Sequence, residues 1–301
     1  MPLLVLIERH RLMSSSLTTI LQDLSVQGFH HTLLFLDDIP SRQQLAERLA
    51  EAKDTAYDRA LVCGGDGTLH QVVEALVLLP RDRRLPLAAI PMGTANDFAI
   101  SAGVGGATLG ETFLRTAKAA VRNVDVAWVN DHPFINVASG GCVTKATSDI
   151  AQPLKGLFGR FAYYLNALAK ATEISSSFMR FRGDSWKVEE ECVAFAVGNA
   201  SSAGGGLKVA PAAKINDGVL DLLVVPAQSF LELAALGTEL LQDEPRLELH
   251  HVHYIQASKF TLETPSKIQI NLDGEPVSGT CFQFRVEPMG LRMAVEGDLL
   301  R

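Results

Sequence analysis

The pattern of apolar and polar positions changes near residue 122, so the two parts of the chain predict different kinds of structure. In the first part, short apolar runs alternate with stretches whose apolar residues recur at helical spacing, which is typical of a parallel α/β fold. The predicted strands are Leu3–Ile7, Thr32–Leu36, Ala60–Cys63 and Leu87–Ile90, and the predicted helices are Leu17–Val26, Arg42–Ala52 and Leu69–Leu79.

From about residue 123 the apolar runs are short, and several alternate with polar residues at period two, as in strands with one buried face. The predicted strands are Val124–Val129, Pro133–Ala138, Phe178–Arg182, Cys192–Val197, Leu220–Val225, His253–Leu262, Ile268–Leu272 and Phe282–Val286. Helices are expected at about 157–172 and 229–241. The sequence therefore predicts an α/β domain over residues 1–122 and a mainly β, sandwich-like domain over residues 123–289, which is α+β overall.

Composition limits the classes of protein to which the chain can belong. With 301 residues, 47% of them hydrophobic, it can bury a large core. No apolar stretch approaches the roughly 20 residues that a membrane-spanning helix needs. The cysteines (Cys63, Cys142, Cys192 and Cys281) include no closely spaced pair, which argues against a zinc site or a disulfide framework and favours a reducing, cytoplasmic compartment. A net charge of −7 argues against nucleic acid as a partner.

Two glycine-containing loops, Gly64–Thr68 and Met92–Asp97, follow successive strands of the first domain. Because ligands of parallel sheets bind at the carboxyl ends of the strands, both loops are expected at a common site. Glycine lets backbone N–H groups approach an anion closely, and the helix after the first loop adds its N-terminal donors. The loops therefore predict a phosphate site, the alternative being that the glycines only permit tight turns. Thr68 and Gln71 are expected to form a capping box on that helix.

Acidic residues in the two loops indicate what kind of phosphate ligand is bound. The loops carry neither a Walker A lysine nor a GxGxxG fingerprint. A carboxylate beside a polyphosphate repels it unless a cation intervenes, so Asp66 and Asp97 indicate a nucleotide that carries Mg²⁺. Kinase chemistry is the class of reaction that this combination favours.

Several segments in order resemble the diacylglycerol-kinase-like lipid kinases, in particular the bacterial YegS group. They are Gly64–Thr68, Pro91–Ala99, Gly198-Asn199 with Gly204–Gly206, Ala210–Gly218 and Asn271–Pro276. The first segment is shared with NAD kinases and phosphofructokinases, so the resemblance implies a nucleotide-binding fold of that kind for the first domain. It also implies that residues from about 290 to 301 return to that domain.

The resemblance implies transfer of the γ-phosphoryl group of ATP to a lipid hydroxyl. YegS-like enzymes suggest phosphatidylglycerol as the acceptor, whereas related enzymes accept diacylglycerol, ceramide or sphingoid lipids. The implied ATP-binding residues are Asp37, Cys63, Gly64, Gly65, Asp66, Gly67, Thr68, Leu69 and Thr94. The implied ligands of Mg²⁺, or of Ca²⁺, are Asp217 and the carbonyls of Lys214 and Val219. Glu275 matches the proton acceptor.

Asp273 and Glu275 are the candidate catalytic residues. A lipid hydroxyl that attacks a phosphoryl group needs a carboxylate within hydrogen-bond reach to take its proton. If this segment is extended, residues two apart point to the same side, and both carboxylates face one site. The alternative is an Asp-Gly hairpin turn with solvated acids, and which carboxylate acts as the base stays open. For Asp217, the alternative to metal binding is an Asx turn.

Two departures from the family pattern keep other functions open. His70-Gln71 stands where relatives commonly have Asn-Glu. Glu8–Arg11 replaces the usual glycine-containing loop after the first strand, and its arginines either pair with phosphate or are solvated. These departures motivate one alternative function, a nucleotide-sensing, membrane-binding protein without turnover. The other alternative is NAD kinase, which shares the Gly64–Thr68 segment.

The segment from residue 153 to residue 170 is the candidate for contact with lipid. It is rich in aromatic residues and carries Lys155, Arg160 and Lys170 without an acidic residue. A basic, aromatic helix can lie on an anionic membrane surface, whereas the alternative is an amphipathic helix packed into the core. We expect transient, peripheral contact with the inner membrane face, and the sequence leaves the oligomeric state open.

Overall fold

The structure, a computed structural model, describes residues 1–12, 15–55, 57–105, 108–141 and 176–295. The chain divides into two units, Met1–Val126 with Pro288–Arg301, and Ala127–Glu287. The sequence placed these divisions a few residues away, at 122/123 and 289/290. A strand runs through each division point, so the pattern of apolar residues does not change there.

The first unit is a parallel sheet flanked by helices. Its strands are β1 (Pro2–Ile7), β2 (His30–Phe35), β3 (Arg59–Gly64) and β4 (Leu87–Pro91), in the order β4-β3-β1-β2. Its helices are α1 (Arg9–Leu12), α2 (Ser15–Val26), α3 (Arg42–Asp54), α4 (Asp66–Leu76), α5 (Asp97–Ser101) and α6 (Leu109–Lys118), with 3₁₀ turns at Leu36–Asp38 and Arg81–Arg83. β1, β3 and β4 are buried almost throughout, which explains why their sequences are apolar except for Arg59 at the start of β3.

The register of this sheet brings the carboxyl ends of its strands together. Ile7 of β1 lies opposite Phe35 of β2 and Cys63 of β3, and Gly64 lies opposite Pro91 of β4. Helices α2 and α6 cover the sheet, burying Leu17, Leu21, Leu24 and Phe113 against it. The predicted α/β class of this part is confirmed, and every loop that follows a strand opens at one edge.

The second unit is mainly β. Its strands are β5 (Val121–Val129), β6 (His132–Phe134), β7 (Val137–Gly141), β8 (Ser177–Arg182), β9 (Lys187–Gly198), β10 (Leu220–Pro226), β11 (His253–Ala257), β12 (Lys259–Leu272) and β13 (Glu275–Ala294). β5 begins and β13 ends in the first unit. Within the second unit the order is β11-β10-β9-β7-β12-β13 with antiparallel pairing, and β8 also pairs with β9 and β12. One helix, α7 (Phe230–Glu239), and a 3₁₀ turn at Leu247–Leu249 are described here.

Both faces of this sheet are covered, as β10 illustrates. Leu222 and Val224 belong to one core cluster, and Leu223 and Val225 belong to another cluster with α7. The first cluster is rich in aromatic rings, with Phe260 and Phe284 stacked at 4.7 Å between centroids. A strand that is buried on both faces has no polar alternation, and β10 is accordingly apolar at every position except Asp221. The predicted β-rich class of this part is also confirmed.

The end of β13 belongs to the first unit, where Met293 pairs in parallel with Leu87 of β4. The buried guanidinium of Arg84 secures it by donating to the carbonyls of Gly290 (2.5 Å), Leu79 (2.9 Å) and Val77 (3.1 Å). Hydrogen bonds from a charged donor are stronger than neutral ones. Arg84 therefore joins the end of α4 to the returning strand.

Several elements differ from the predictions. The helix predicted at Leu69–Leu79 is α4, which begins and ends three residues earlier. α5 and α6 were not predicted, the strand predicted at His253–Leu262 is split between β11 and β12, and the strand predicted at Phe282–Val286 is the middle of the 20-residue β13. The helix predicted at about 157–172 and the basic segment 153–170 lie outside the described residues, as does Cys142.

The described cysteines are free thiols, buried at Cys63 and Cys192 and exposed at Cys281. Burial raises the pKa of Cys63 far above its usual range and raises that of Cys192 to about 12. The two buried thiols therefore stay protonated and serve as packing groups. Within the described ranges, no helix has the length and apolar character needed to cross a bilayer.

Candidate active site

The two glycine loops of the first unit contact each other through their backbones. The Met92 N–H group donates to the carbonyl of Gly64 at 2.8 Å. A Cβ atom on Gly93 would lie 2.5 Å from the Cα of Gly65, a distance that real side chains do not reach. Glycine at both positions is therefore what lets the loops pack together, as expected for a common site.

The first loop ends in the N-terminus of α4. Gly65 is the N-cap, and no side chain caps the helix, so the predicted capping box of Thr68 and Gln71 is wrong. Thr68 lies inside the first turn, with its side chain where a Cβ on Gly64 would be. The first helical hydrogen bond runs from Leu69 to Gly65, so the N–H groups of the three residues before Leu69 have no helical acceptor. A Cβ on Gly67 would meet no atom within 4 Å, so open space adjoins these donors.

The second loop is held in shape by Asn96, which has a left-handed backbone (φ 55°). Its side chain accepts from the Gly93 N–H group at 2.8 Å and donates to the Gly93 carbonyl at 2.9 Å. Asp66 of the first loop accepts from the N–H group of Phe98, in the first turn of α5, at 3.2 Å. One oxygen of Asp66 is therefore used inside the protein, where it joins the beginnings of α4 and α5.

The remaining residues of the predicted nucleotide site lie at the same edge of the sheet. Cys63 and Leu69 are buried, whereas Thr94 is exposed in the second loop. Asp37 lies in the turn after β2, and its carboxylate accepts from the Arg9 N–H group at 2.6 Å. Asp97 is 3% exposed. The structure therefore groups these residues around the ends of β1, β2, β3 and β4.

The two candidate catalytic carboxylates lie in the second unit at the β12/β13 hairpin. Asp273 and Gly274 form its two-residue turn, both with positive φ (51° and 112°), and Leu272 pairs with Glu275. The hairpin alternative is thus the observed geometry, since positive φ at both central residues is typical of a type I′ turn. The expectation that an extended strand points both carboxylates to one side is wrong, because Asp273 lies in the turn.

Asp273 is nevertheless not a solvated acid. Its carboxylate accepts from the backbone N–H groups of Ile135 (2.8 Å), Asn136 (3.0 Å) and Val137 (2.9 Å). These bonds attach the hairpin to the segment between β6 and β7. Glu275, at the start of β13, is exposed. The structure thus gives the two acids different environments, one bound to backbone N–H groups and one exposed to solvent.

The loop Lys214–Val219 precedes β10. The Asp217 carboxylate accepts from the Val219 N–H group at 3.2 Å, which is the Asx turn named as the alternative to metal binding. Gly218 follows with a φ of 75°. An Asx turn engages one of the two carboxylate oxygens, so it is compatible with cation binding.

The buried carboxylate of Asp221, near this loop, bears on whether a cation can bind here. Asp221 is fully buried, and its Oδ1 accepts from Tyr254 (2.7 Å) and Gln256 (3.0 Å), while its Oδ2 has no hydrogen-bond partner. Burial raises the pKa of Asp221, and the nearby charge of Asp217 raises it further. A cation bound nearby would favour the ionised form of Asp221, and oxygen atoms of this kind are the donors that Mg²⁺ and Ca²⁺ take. In the part of the chain that the structure describes, no three His, Cys, Asp or Glu side chains converge, so carbonyls or water would complete the shell.

Sequence reasoning missed residues whose role depends on tertiary contact. Asn96, the Ile135–Val137 segment and Asp221 were not singled out. Asn96 had a usable signal, because asparagine tolerates a left-handed backbone and here precedes a helix. The backbone amides of Ile135–Val137 and the burial of Asp221 leave no comparable trace in the sequence.

Two family models match the chain: the diacylglycerol kinase catalytic domain over residues 4–129 and the YegS C-terminal NAD kinase beta sandwich-like domain over residues 136–295. A "Probable lipid kinase YegS-like" of Alcanivorax borkumensis is 35% identical, covering 82% of this chain and 82% of its own. A "Diacylglycerol kinase" of Bacillus subtilis is 32% identical, covering 75% and 73%. A solved diacylglycerol kinase-like structure from Bacillus anthracis matches with a TM-score of 0.80 at 25% identity, covering 98% and 97%. The chain therefore belongs to the YegS-like group of the diacylglycerol kinase family, which are lipid kinases that phosphorylate an alcohol group.

Proposed function

We propose that this lipid kinase transfers the γ-phosphoryl group of ATP to a hydroxyl group of a membrane lipid, and that phosphatidylglycerol is an acceptor. The observation that carries the proposal is the backbone contact between Gly65 and Gly93, beside the uncapped start of α4. Helix N-termini and glycine loops together are favourable sites for phosphate groups. Transient contact with a membrane surface brings the kinase to its acceptor.

The nucleotide is assigned to the edge of the sheet in the first unit. The N–H groups at the start of α4 hold its phosphates, and the hydroxyl groups of Thr68 and Thr94 supply further hydrogen bonds. Mg²⁺ bound to ATP would neutralise the negative charge that develops on the transferred phosphoryl group. The open space next to Gly67 is where an anion approaches these donors without meeting a side chain.

The acceptor hydroxyl needs a base, and we assign that role to Glu275. Its side chain is exposed, whereas the oxygens of Asp273 already accept from three backbone N–H groups. Asp273 is therefore assigned as a positioning residue that attaches the hairpin bearing Glu275. A positioned carboxylate that removes the hydroxyl proton accelerates such transfers by roughly 10²- to 10⁴-fold.

The experiment that tests this function measures transfer of labelled γ-phosphate from MgATP. The acceptors are vesicles containing phosphatidylglycerol, diacylglycerol, ceramide or sphingosine, with soluble NAD as a separate acceptor. Label on phosphatidylglycerol supports the proposal. Label on another lipid instead shows that the enzyme is a lipid kinase with that lipid as its acceptor. Labelled NADP identifies a NAD kinase instead. Binding of ATP without any product identifies a nucleotide-sensing protein.

We also propose that Asp217, with the carbonyls of Lys214 and Val219, binds Mg²⁺ or Ca²⁺. The Asp217→Asn variant is expected to lose the increase in melting temperature that these cations give the wild-type chain, because the amide is a weaker ligand and carries no charge. Calorimetric titration with MgCl₂ and CaCl₂ measures the same loss directly. Asp243→Asn, at an exposed position in the same unit, is the matched control. An unchanged cation response in Asp217→Asn would contradict the assignment.

A further inference from the structure

The segment after β1 is bonded to the nucleotide loops through one of its two arginines. The Arg11 Nη1 atom donates to the carbonyl of Met92 at 2.7 Å, and its Nε atom donates to the Glu8 carboxylate at 2.8 Å. The Arg11 side chain is 23% exposed, so much of it is withdrawn from water. Arg11 therefore connects the end of β1 to the beginning of the second glycine loop.

Met92 is held on both sides of its backbone. Its N–H group donates to Gly64 in the first loop, and its carbonyl accepts from Arg11. The charge of Arg11 also opposes the effect of burial on the pKa of Cys63, which places the guanidinium near the end of β3. One cation thus lies where β1, β3 and β4 end, next to Gly93.

Arg9, on the same short helix, is directed elsewhere. Its Nε atom donates to Asp38 at 3.2 Å, and its guanidinium lies over the ring of Phe35, 4.1 Å from the centroid. Its side chain is 59% exposed. An exposed ion pair of this kind contributes little to stability. The Arg9 side chain is therefore a matched control for that of Arg11, because it bonds to neither glycine loop, and Arg9→Met keeps the backbone N–H group that donates to Asp37.

We propose that Arg11 is a positioning residue of the nucleotide site, which holds the Met92 carbonyl and thereby keeps Gly93 and Thr94 in place against the first loop. The sequence left two roles for the arginines of Glu8–Arg11, pairing with phosphate or solvation, and the bond from Arg11 to Met92 adds a third. Its planar guanidinium offers donors in fixed directions, so Glu8 can orient it while it binds the carbonyl. Without this bond the loop samples more conformations, and ATP must order it on binding.

This inference rests on the proposed function, because it concerns the ATP site. Calorimetry on the full chain measures MgATP binding to the wild type and to Arg11→Met, Arg11→Lys and Arg9→Met. Arg11→Met is expected to raise the Kd roughly tenfold, since a lost charged hydrogen bond to a carbonyl is of that size. Arg11→Lys keeps one charged donor and recovers part of the affinity. Arg9→Met is expected to bind within about twofold of the wild type.

Kinetics and thermal unfolding add independent readouts. The KM for ATP of Arg11→Met is expected to rise with little change in kcat, because saturating ATP restores the order of the loop. A wild-type Kd in Arg11→Met overturns the inference, whether or not its melting temperature falls, and an equal loss in Arg9→Met overturns it too. If the wild-type chain itself fails to bind MgATP, the proposed function and the inference are both overturned. If the wild type binds MgATP and Arg11→Met binds it equally well, only the inference is overturned.

Discussion

Replacement of Glu275 by Gln is expected to lower the rate of lipid phosphorylation by roughly 10²- to 10⁴-fold, the usual contribution of a positioned general base. Glutamine keeps the size and hydrogen-bonding capacity of the side chain but cannot take the proton of the attacking hydroxyl. Glu275 is exposed at the start of β13, and its side chain makes none of the hydrogen bonds or ion pairs found among the described residues. The variant is therefore expected to fold and to bind MgATP as the wild type does.

The measurement is the rate of labelled lipid formation at saturating MgATP, with ATP affinity and melting temperature determined for the same preparation. Glu244→Gln removes the charge of another exposed glutamate of the second unit and is expected to leave the rate unchanged. A Glu275→Gln variant that retains the wild-type rate would refute the assignment of the base. A variant that loses ATP affinity in parallel would show that Glu275 acts on the nucleotide instead.

Gly93→Ala is expected to weaken ATP binding by one to two orders of magnitude. The added Cβ would lie 2.5 Å from the Cα of Gly65 and 2.9 Å from the side-chain oxygen of Asn96. Because the first of these is a backbone atom, the loops must separate to relieve the contact. Overpacking of this kind costs roughly 1–3 kcal/mol, which is about 5- to 150-fold in affinity if the two loops must be in contact for ATP to bind.

Two other glycines distinguish loop separation from a general effect of alanine. Gly105→Ala is expected to have no effect on binding, because its Cβ would meet no atom within 4 Å. Gly67→Ala has equal room for its Cβ and lies in α4, so its melting temperature is expected to stay the same or rise. It is nevertheless expected to weaken ATP binding, because its methyl group fills the space assigned to the phosphates. Calorimetry with MgATP tests all three variants, and wild-type affinity in Gly93→Ala would contradict the role of the Gly65–Gly93 contact.

The elements that sequence predicted well are those whose burial determines their composition. β1, β3 and β4 are covered on both faces, so almost every position must be apolar, and the run itself marks the strand. Boundaries were predicted less well. The start of α4 was placed at Leu69 because apolar spacing begins there, whereas the helix begins at Asp66, directly after its N-cap residue Gly65. Spacing detects the buried face of a helix and not its uncapped first turn.

In the candidate site, too, some features could be predicted from the sequence and others could not. The glycine loops were recognisable because close backbone approach requires a residue without a side chain, and that requirement is visible in sequence. The carboxylates were recognisable as a pair but not as distinct groups. The pattern Asp273-Gly274-Glu275 is compatible with a strand or a turn, and the choice depends on the three backbone N–H groups that bind Asp273. Those groups exist in every residue and leave no mark on the sequence.

The sequence by itself determined the two classes of domain, the two glycine loops and the family, because each depends on residue types at short, regular spacings. Only the tertiary structure decided that Gly65 and Gly93 touch, that Asp273 binds backbone while Glu275 stays exposed, and that Arg11 rather than Arg9 reaches Met92. The physical reason is distance along the chain. Arg11 and Met92 are separated by 81 positions, and only the pairing of β1, β3 and β4 brings them within hydrogen-bond reach.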